Sequence, residues 1–220
     1  MTKQEREIEK TLKGLSPWQA GLFTCCCFEK IAPIYRIYAP KELVNFYDEG
    51  LELCWRASLN SENFEALIQL KKSVIEHLKT LAEQEDGKID VVADYAVFMV
   101  GDVFQYMIST VTKANFKDLQ SVWIGVLNLC VNMDSMLFED ANTNTDELHL
   151  PDTLEKWEAQ NAEKTLKLLT DAQEPSAELI EYLRLRAEKW GRGFQRVLQV
   201  VGPAAKWKKN KLGWQEKFTM

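Results

Sequence analysis

The chain has 220 residues, a formal net charge of −6 at pH 7, five cysteines and two histidines. That length suffices to bury a core without disulfides or a structural metal. No window approaches the roughly 18 uninterrupted apolar residues of a membrane-spanning helix, and the acid-bearing N-terminus, MTKQEREIEKTLKG, lacks the apolar region of a secretory signal. A cytoplasmic location is therefore expected.

After a charged first segment, read as a short helix or a frayed tail, Ser16 is placed to cap a helix with Pro17 in its first turn and Gln19 closing a capping box. Apolar residues then surround most of the circumference from Trp18 to Ile34, which predicts a buried helix that Pro33 ends or kinks. Cys25, Cys26 and Cys27 are adjacent there; neighbours on a helix diverge by about 100°, so they read as small packed hydrophobes, not a disulfide framework.

Helical spacing continues through Leu43–Leu59 and, after Ser61, through Phe64–Leu81 to the polar turn QEDGK. Ile89–Val111 is the most hydrophobic stretch, and its length favours a surrounded helix over a strand. Asn115 is placed to cap the next helix, Phe116–Leu137, and the two form an expected central hairpin. DANTNTDELHLP, 140–151, is the clearest loop. Two further stripes follow, Leu154–Leu169 and one starting at Pro175, which Gly202 and Pro203 are expected to stop. Alternating strands and solenoid repeats are not seen. The expectation is all-α: one antiparallel bundle of about seven or eight helices over residues 1–202, followed by a basic aromatic tail, 203–220.

Few residues suggest chemistry. A zinc site wants about four Cys or His ligands at chelating spacing. Here His77 and His149 lie far apart and outside any HxxxH or CxxC pattern, so no metal or other cofactor is expected. GRGF at 191–194 matches neither phosphate-binding glycine pattern. Without a catalytic constellation the chain reads as a non-enzymatic protein. One alternative is a helical enzyme or small-ligand protein with a pocket between the central helices, lined by Trp18, Cys26, Asp94 and Asp102. The two aspartates fall eight residues apart on one face of an apolar segment, where a solvated strip on the exposed edge of the helix is the preferred reading over a polar cluster in a groove.

Charge is distributed unevenly. From Asp134 to Glu163 nine acids are opposed by Lys156 alone, while from Arg184 to Lys217 ten basic residues face Glu188 and Glu216. An acidic surface steers cationic partners. The leading expectation is therefore a protein-binding module, most concretely a cytosolic immunity protein that neutralises a cationic, nuclease-type toxin. Asp140, Asp146, Glu147, Asp152, Glu155 and Glu158 would make the contact. The tail, with Trp207 and Trp214, offers a lesser route to nucleic acid.

The segment LSPWQAGLFTCCCFEKIAPIY, with its Trp-Gln opening, Cys-rich helix, Glu-Lys pair and Pro-x-Tyr, resembles the uncharacterised bacterial helical family typified by YjaG. The likeness extends, more weakly, to DYAVFMVGDVFQYMISTV and LPDTLEKWEAQNAEKTLKLL; the extension after Gly202 departs from it. The resemblance implies an all-α cytosolic protein with no established activity, so it transfers no catalytic residue.

Overall fold

The computed structural model describes residues 2–39, 41–59, 63–84, 92–139 and 153–211, with the side chains of 77, 79–84, 92–98, 136–139 and 200–211 left aside. All of the regular structure is helical: α1 (Lys3–Lys13), α2 (Pro17–Tyr38), α3 (Lys41–Ala57), α4 (Phe64–Gln84), α5 (Val92–Lys113), α6 (Phe116–Glu139), α7 (Leu154–Asp171) and α8 (Ala177–Lys211). Among the described residues this is the expected single-domain helical bundle, and no helix there is long and apolar enough to cross a membrane.

α2 is the axis of the bundle. Every residue from Ala20 to Tyr35 is buried, and α5 and α8 make the most extensive contacts with it, with α3, α6 and α7 completing the enclosure. A helix apolar around its circumference has no face to give to water, so the others must surround it. The five cysteines are all buried free thiols, as packing predicts. Phe28, Tyr35, Tyr47 and Phe104 form an aromatic cluster joining α2, α3 and α5, with ring centroids between 4.9 and 6.0 Å apart.

The helix starts follow their local chemistry. Gln19 Oε1 accepts the Ser16 backbone N–H at 2.8 Å, and the Gln19 amide nitrogen donates to the Leu169 carbonyl at 2.7 Å. One side chain thus caps α2 and ties it to the end of α7. The charged N-terminal segment is a proper helix, because Thr2 and Glu5 form a reciprocal capping box and Ile8 and Leu12 are buried. Between α5 and α6 only Ala114 and Asn115 intervene, which folds the two into an antiparallel hairpin. Asn115 Oδ1 accepts the Lys117 N–H at 2.9 Å, and Ala114 makes the turn at φ 49°.

Of the breaks expected at prolines, neither ends its helix. α2 runs through Pro33 to Tyr38. Proline withdraws one N–H and releases the carbonyl four residues earlier, here Glu29's; the rest of the helix is held by packing on all sides. α8 likewise continues past Gly202 and Pro203 to Lys211, since the following Ala204, Ala205 and Lys206 are strong helix formers. Residues 203–211 of the expected tail therefore extend α8, and 212–220 lie outside the described residues.

Candidate functional site

At the centre of the bundle lies an ion pair between Lys30 of α2 and Glu158 of α7. Lys30 Nζ donates to Glu158 Oε1 at 2.8 Å and Oε2 at 3.1 Å, with side chains 1% and 0% exposed. Trp190 of α8 lies beside the ammonium, 5.8 Å from Nζ to ring centroid, and stacks between Trp157 and Phe194. Burial raises the Glu158 carboxyl pKa, with Lys30 opposing the shift. For Lys30 burial works to lower the value, but the Glu158 charge prevails and leaves it raised. This charge-assisted pair ties α2 to α7 within the core.

The same interior silences the thiols. Burial pushes Cys26 up to about 12 despite the nearby Lys30, and burial likewise raises Cys25, Cys27, Cys54 and Cys130. Since the thiolate is the nucleophile, these sulfurs are poor candidates for covalent chemistry.

Just outside the ion pair, α2 and α8 leave a cleft of about 250 Å³ lined by Glu29, Pro33, Arg36, Ile37, Glu188, Gly191, Arg192 and Gln195. Gly191 permits the close approach: a Cβ there would stand 3.3 Å from the Lys30 carbonyl oxygen and 3.4 Å from Glu29's, the one freed by Pro33. Glu29 is almost enclosed. Its Oε2 accepts the Trp55 indole N–H at 3.3 Å, and Arg36 stands 3.7 Å from Oε1. Burial raises the Glu29 pKa, against the lowering effects of Trp55 and Arg36. Arg36 also donates to Asp48 at 2.7 Å, and Asp48 accepts the Tyr35 hydroxyl at 2.6 Å.

These contacts account for the Glu-Lys and Pro-x-Tyr residues of the opening motif. Glu29 holds α3 through Trp55, Lys30 holds α7, Pro33 packs beside Gly191 of α8, and Tyr35 returns to α3 through Asp48.

The residues expected to form an acidic contact surface separate into three groups. Glu158 is not on the surface at all: α7 turns it inward to Lys30, and this corrects its assignment to a partner-binding face. Glu155 is half-buried at the start of α7. Asp140, Asp146, Glu147 and Asp152 lie outside the described residues. Asp134, counted with the acids of this stretch, is also internal. Its Oδ1 accepts the Leu154 N–H at 2.8 Å and its Oδ2 the Glu155 N–H at 2.9 Å, so the carboxylate caps α7 from α6. The start of α7 thus sits beside Asp134, within two turns of Glu139, where α6 ends.

The four expected pocket residues occupy different surroundings. Trp18 is half-buried at the start of α2, Cys26 is enclosed in the core, and Asp102 is half-buried on α5, where it accepts a hydrogen bond from Gln105. The side chain of Asp94 lies outside the described residues. The cleft described above sits between α2 and α8, and none of these four residues lines it.

One solved structure has a similar fold, that of a DUF416 family protein from Shewanella baltica OS155. It is 15% identical, with a TM-score of 0.57, over 82% of this chain and 93% of that one. At that identity the likeness concerns the fold alone. Neither a family model nor a curated protein matches the chain.

Proposed function

We propose that the chain is a non-enzymatic protein-binding module that presents the acidic segment between α6 and α7 to a basic partner. In its most concrete form it is an immunity protein masking a cationic, nuclease-type toxin. The observation that carries this reading is the Asp134 cap. By bonding to Leu154 and Glu155 it fixes the start of α7 against α6 within two turns of Glu139, so the segment between the two helices begins and ends on the same part of the bundle. From Glu139 to Glu155 that segment and its flanks hold six acids and no lysine or arginine. The internal polar groups point the same way: Glu158 and Lys30 neutralise each other, and the thiols are held protonated.

A tagged chain used as bait should retain a basic protein that is released as salt rises. Reversing Glu147, Asp152 and Glu155 to lysine should abolish the retention; undiminished capture by the triple variant overturns the reading.

A second reading, small-ligand binding, is favoured by one observation, a nearly enclosed carboxyl of raised pKa at the α2–α8 cleft. Ligand-induced thermal stabilisation that Glu29→Gln removes, with triple-variant binding unchanged, would move the function there. Membership of the family typified by YjaG belongs with the proposal; the DUF416 fold likeness and the structural employment of Glu29, Lys30, Pro33 and Tyr35 support it.

A further inference from the structure

The outer face of α6 differs from a usual solvated helix face. From Leu119 to Met133, 15 consecutive residues carry no charge, a length of about 22 Å at 1.5 Å per residue. Ser121, Ile124, Asn128, Val131 and Ser135 follow one another at steps of three and four, the spacing of a helix-pairing seam. They are also the side chains turned outward. Ile124 is 40% and Val131 37% exposed, Asn128 and Ser135 are exposed, and Ser121 is half-buried.

Single exposed apolar residues need no explanation. A seam of this spacing without one lysine or glutamate, in a chain of which 27% is charged, does call for one. We propose that this face of α6 pairs with α6 of a second copy of the same chain, antiparallel across a two-fold axis near Asn128.

Charge selects that occupant. Copies of net charge −6 repel where their acidic faces meet, and this uncharged stripe lets two approach without opposing like charges along it. A partner chosen by charge would find no handle here. A two-fold also requires the patch to be self-complementary. Ile124 and Val131 flank Asn128 at nearly equal distances along the helix, so the axis brings apolar residues of one copy onto those of the other. The Asn128 amide carries both a donor and an acceptor, as an amide meeting its own symmetry mate must. A polar residue in a seam of this kind fixes register.

One helix pair of this length falls short of the roughly 800 Å² per partner of standard interfaces, so association is expected in the micromolar range and not as an obligate dimer. Each copy would carry its acidic segment at the C-terminal end of α6, and antiparallel pairing places the two at opposite ends.

The test is the solution mass of the full chain by sedimentation equilibrium at about 1 to 100 µM. The mass should rise from 25.4 kDa towards twice that value. It should not dissociate between about 0.1 and 0.5 M salt, where charge-steered contacts weaken. Ile124→Lys with Val131→Lys should weaken association at least tenfold, with helical circular dichroism unchanged. Asn128→Glu, at an exposed position, should do the same should the double variant fold poorly. Leu185→Lys, on an exposed apolar residue of α8, should leave association intact. A wild-type chain monomeric at about 100 µM, or association undisturbed in a folded Asn128→Glu variant, overturns the proposal.

Discussion

Replacing either partner of the Lys30–Glu158 pair strands a charge in the core, and the cost can be bounded by the ease with which that group escapes through its proton. In Lys30→Met the buried carboxyl can become neutral. From its ordinary pKa of 4.5, holding a proton at pH 7 costs at most about 3.4 kcal/mol, at about 1.36 kcal/mol per unit. In Glu158→Gln the lysine must shed its proton from an ordinary value of 10.5, at most about 4.8 kcal/mol by the same measure. Both lie in the roughly 3–5 kcal/mol range known for breaking a buried pair.

The pH dependences oppose each other. In Lys30→Met the folded state binds the extra proton, so stability rises as pH falls from 7 towards 5. In Glu158→Gln the unfolded state binds it, so stability rises from pH 7 towards 9. Replacing both by Met and Leu removes both charges and should recover most of the loss. Urea unfolding followed by far-UV circular dichroism at about pH 5, 7 and 9 measures all of this. Single variants costing under about 1 kcal/mol, or pH slopes of the same sign, would refute the reasoning.

Asp134→Ala removes two charge-assisted bonds at the α7 start and should cost about 1–2 kcal/mol in the same urea assay; a loss below about 0.5 kcal/mol would leave the cap without energetic weight. Ala114 sits at φ 49°, outside alanine's preferred region, so Ala114→Gly should stabilise by about 1 kcal/mol, read as a rise in unfolding midpoint. The thiols should resist a disulfide reagent at about pH 8 until the chain unfolds, whereupon five become titratable; one fast-reacting thiol in native protein contradicts their burial. Stability should also fall as pH rises from about 9 towards 12. Cys26, raised from 9.0 to about 12, stays protonated in the fold while the unfolded chain ionises, and the other four thiols, Tyr35 and Tyr47 act in the same direction.

What could be read from the residues alone was the chemistry that acts over one or two helical turns. Ser16 with Gln19, Asn115, and the circumferential hydrophobicity of 18–34 all act through neighbours three or four positions away, so spacing sufficed. Asp134 caps a helix 20 residues further on, and no local pattern announces that. The inward turn of Glu158 did have a signature. It lies between Leu154 and Ala162 on the apolar stripe of α7, just as Lys30 interrupts the stripe of Cys27, Ile31 and Ile34 on α2. A lone acid on one apolar face and a lone base on another are candidates for each other. Summing charge over 134–163 obscured this, because net charge does not distinguish faces. The α2–α8 cleft was not legible, since it depends on Gly191 arriving opposite Pro33 across some 160 positions of chain.

The Asp134 bond to Leu154 and Glu155 carries a consequence for how this protein can change. Because the start of α7 is fastened to α6 by this bond, the length and sequence of the chain between the two helices are nearly decoupled from the bundle: doubling the length of a closed connection adds only about 0.6 kcal/mol of entropic cost. Insertions, deletions or wholesale exchange between 140 and 152 should leave folding almost untouched. A lineage can therefore revise this segment while the helices on either side stay fixed, and an engineer can graft foreign sequence there with the core as a silent platform.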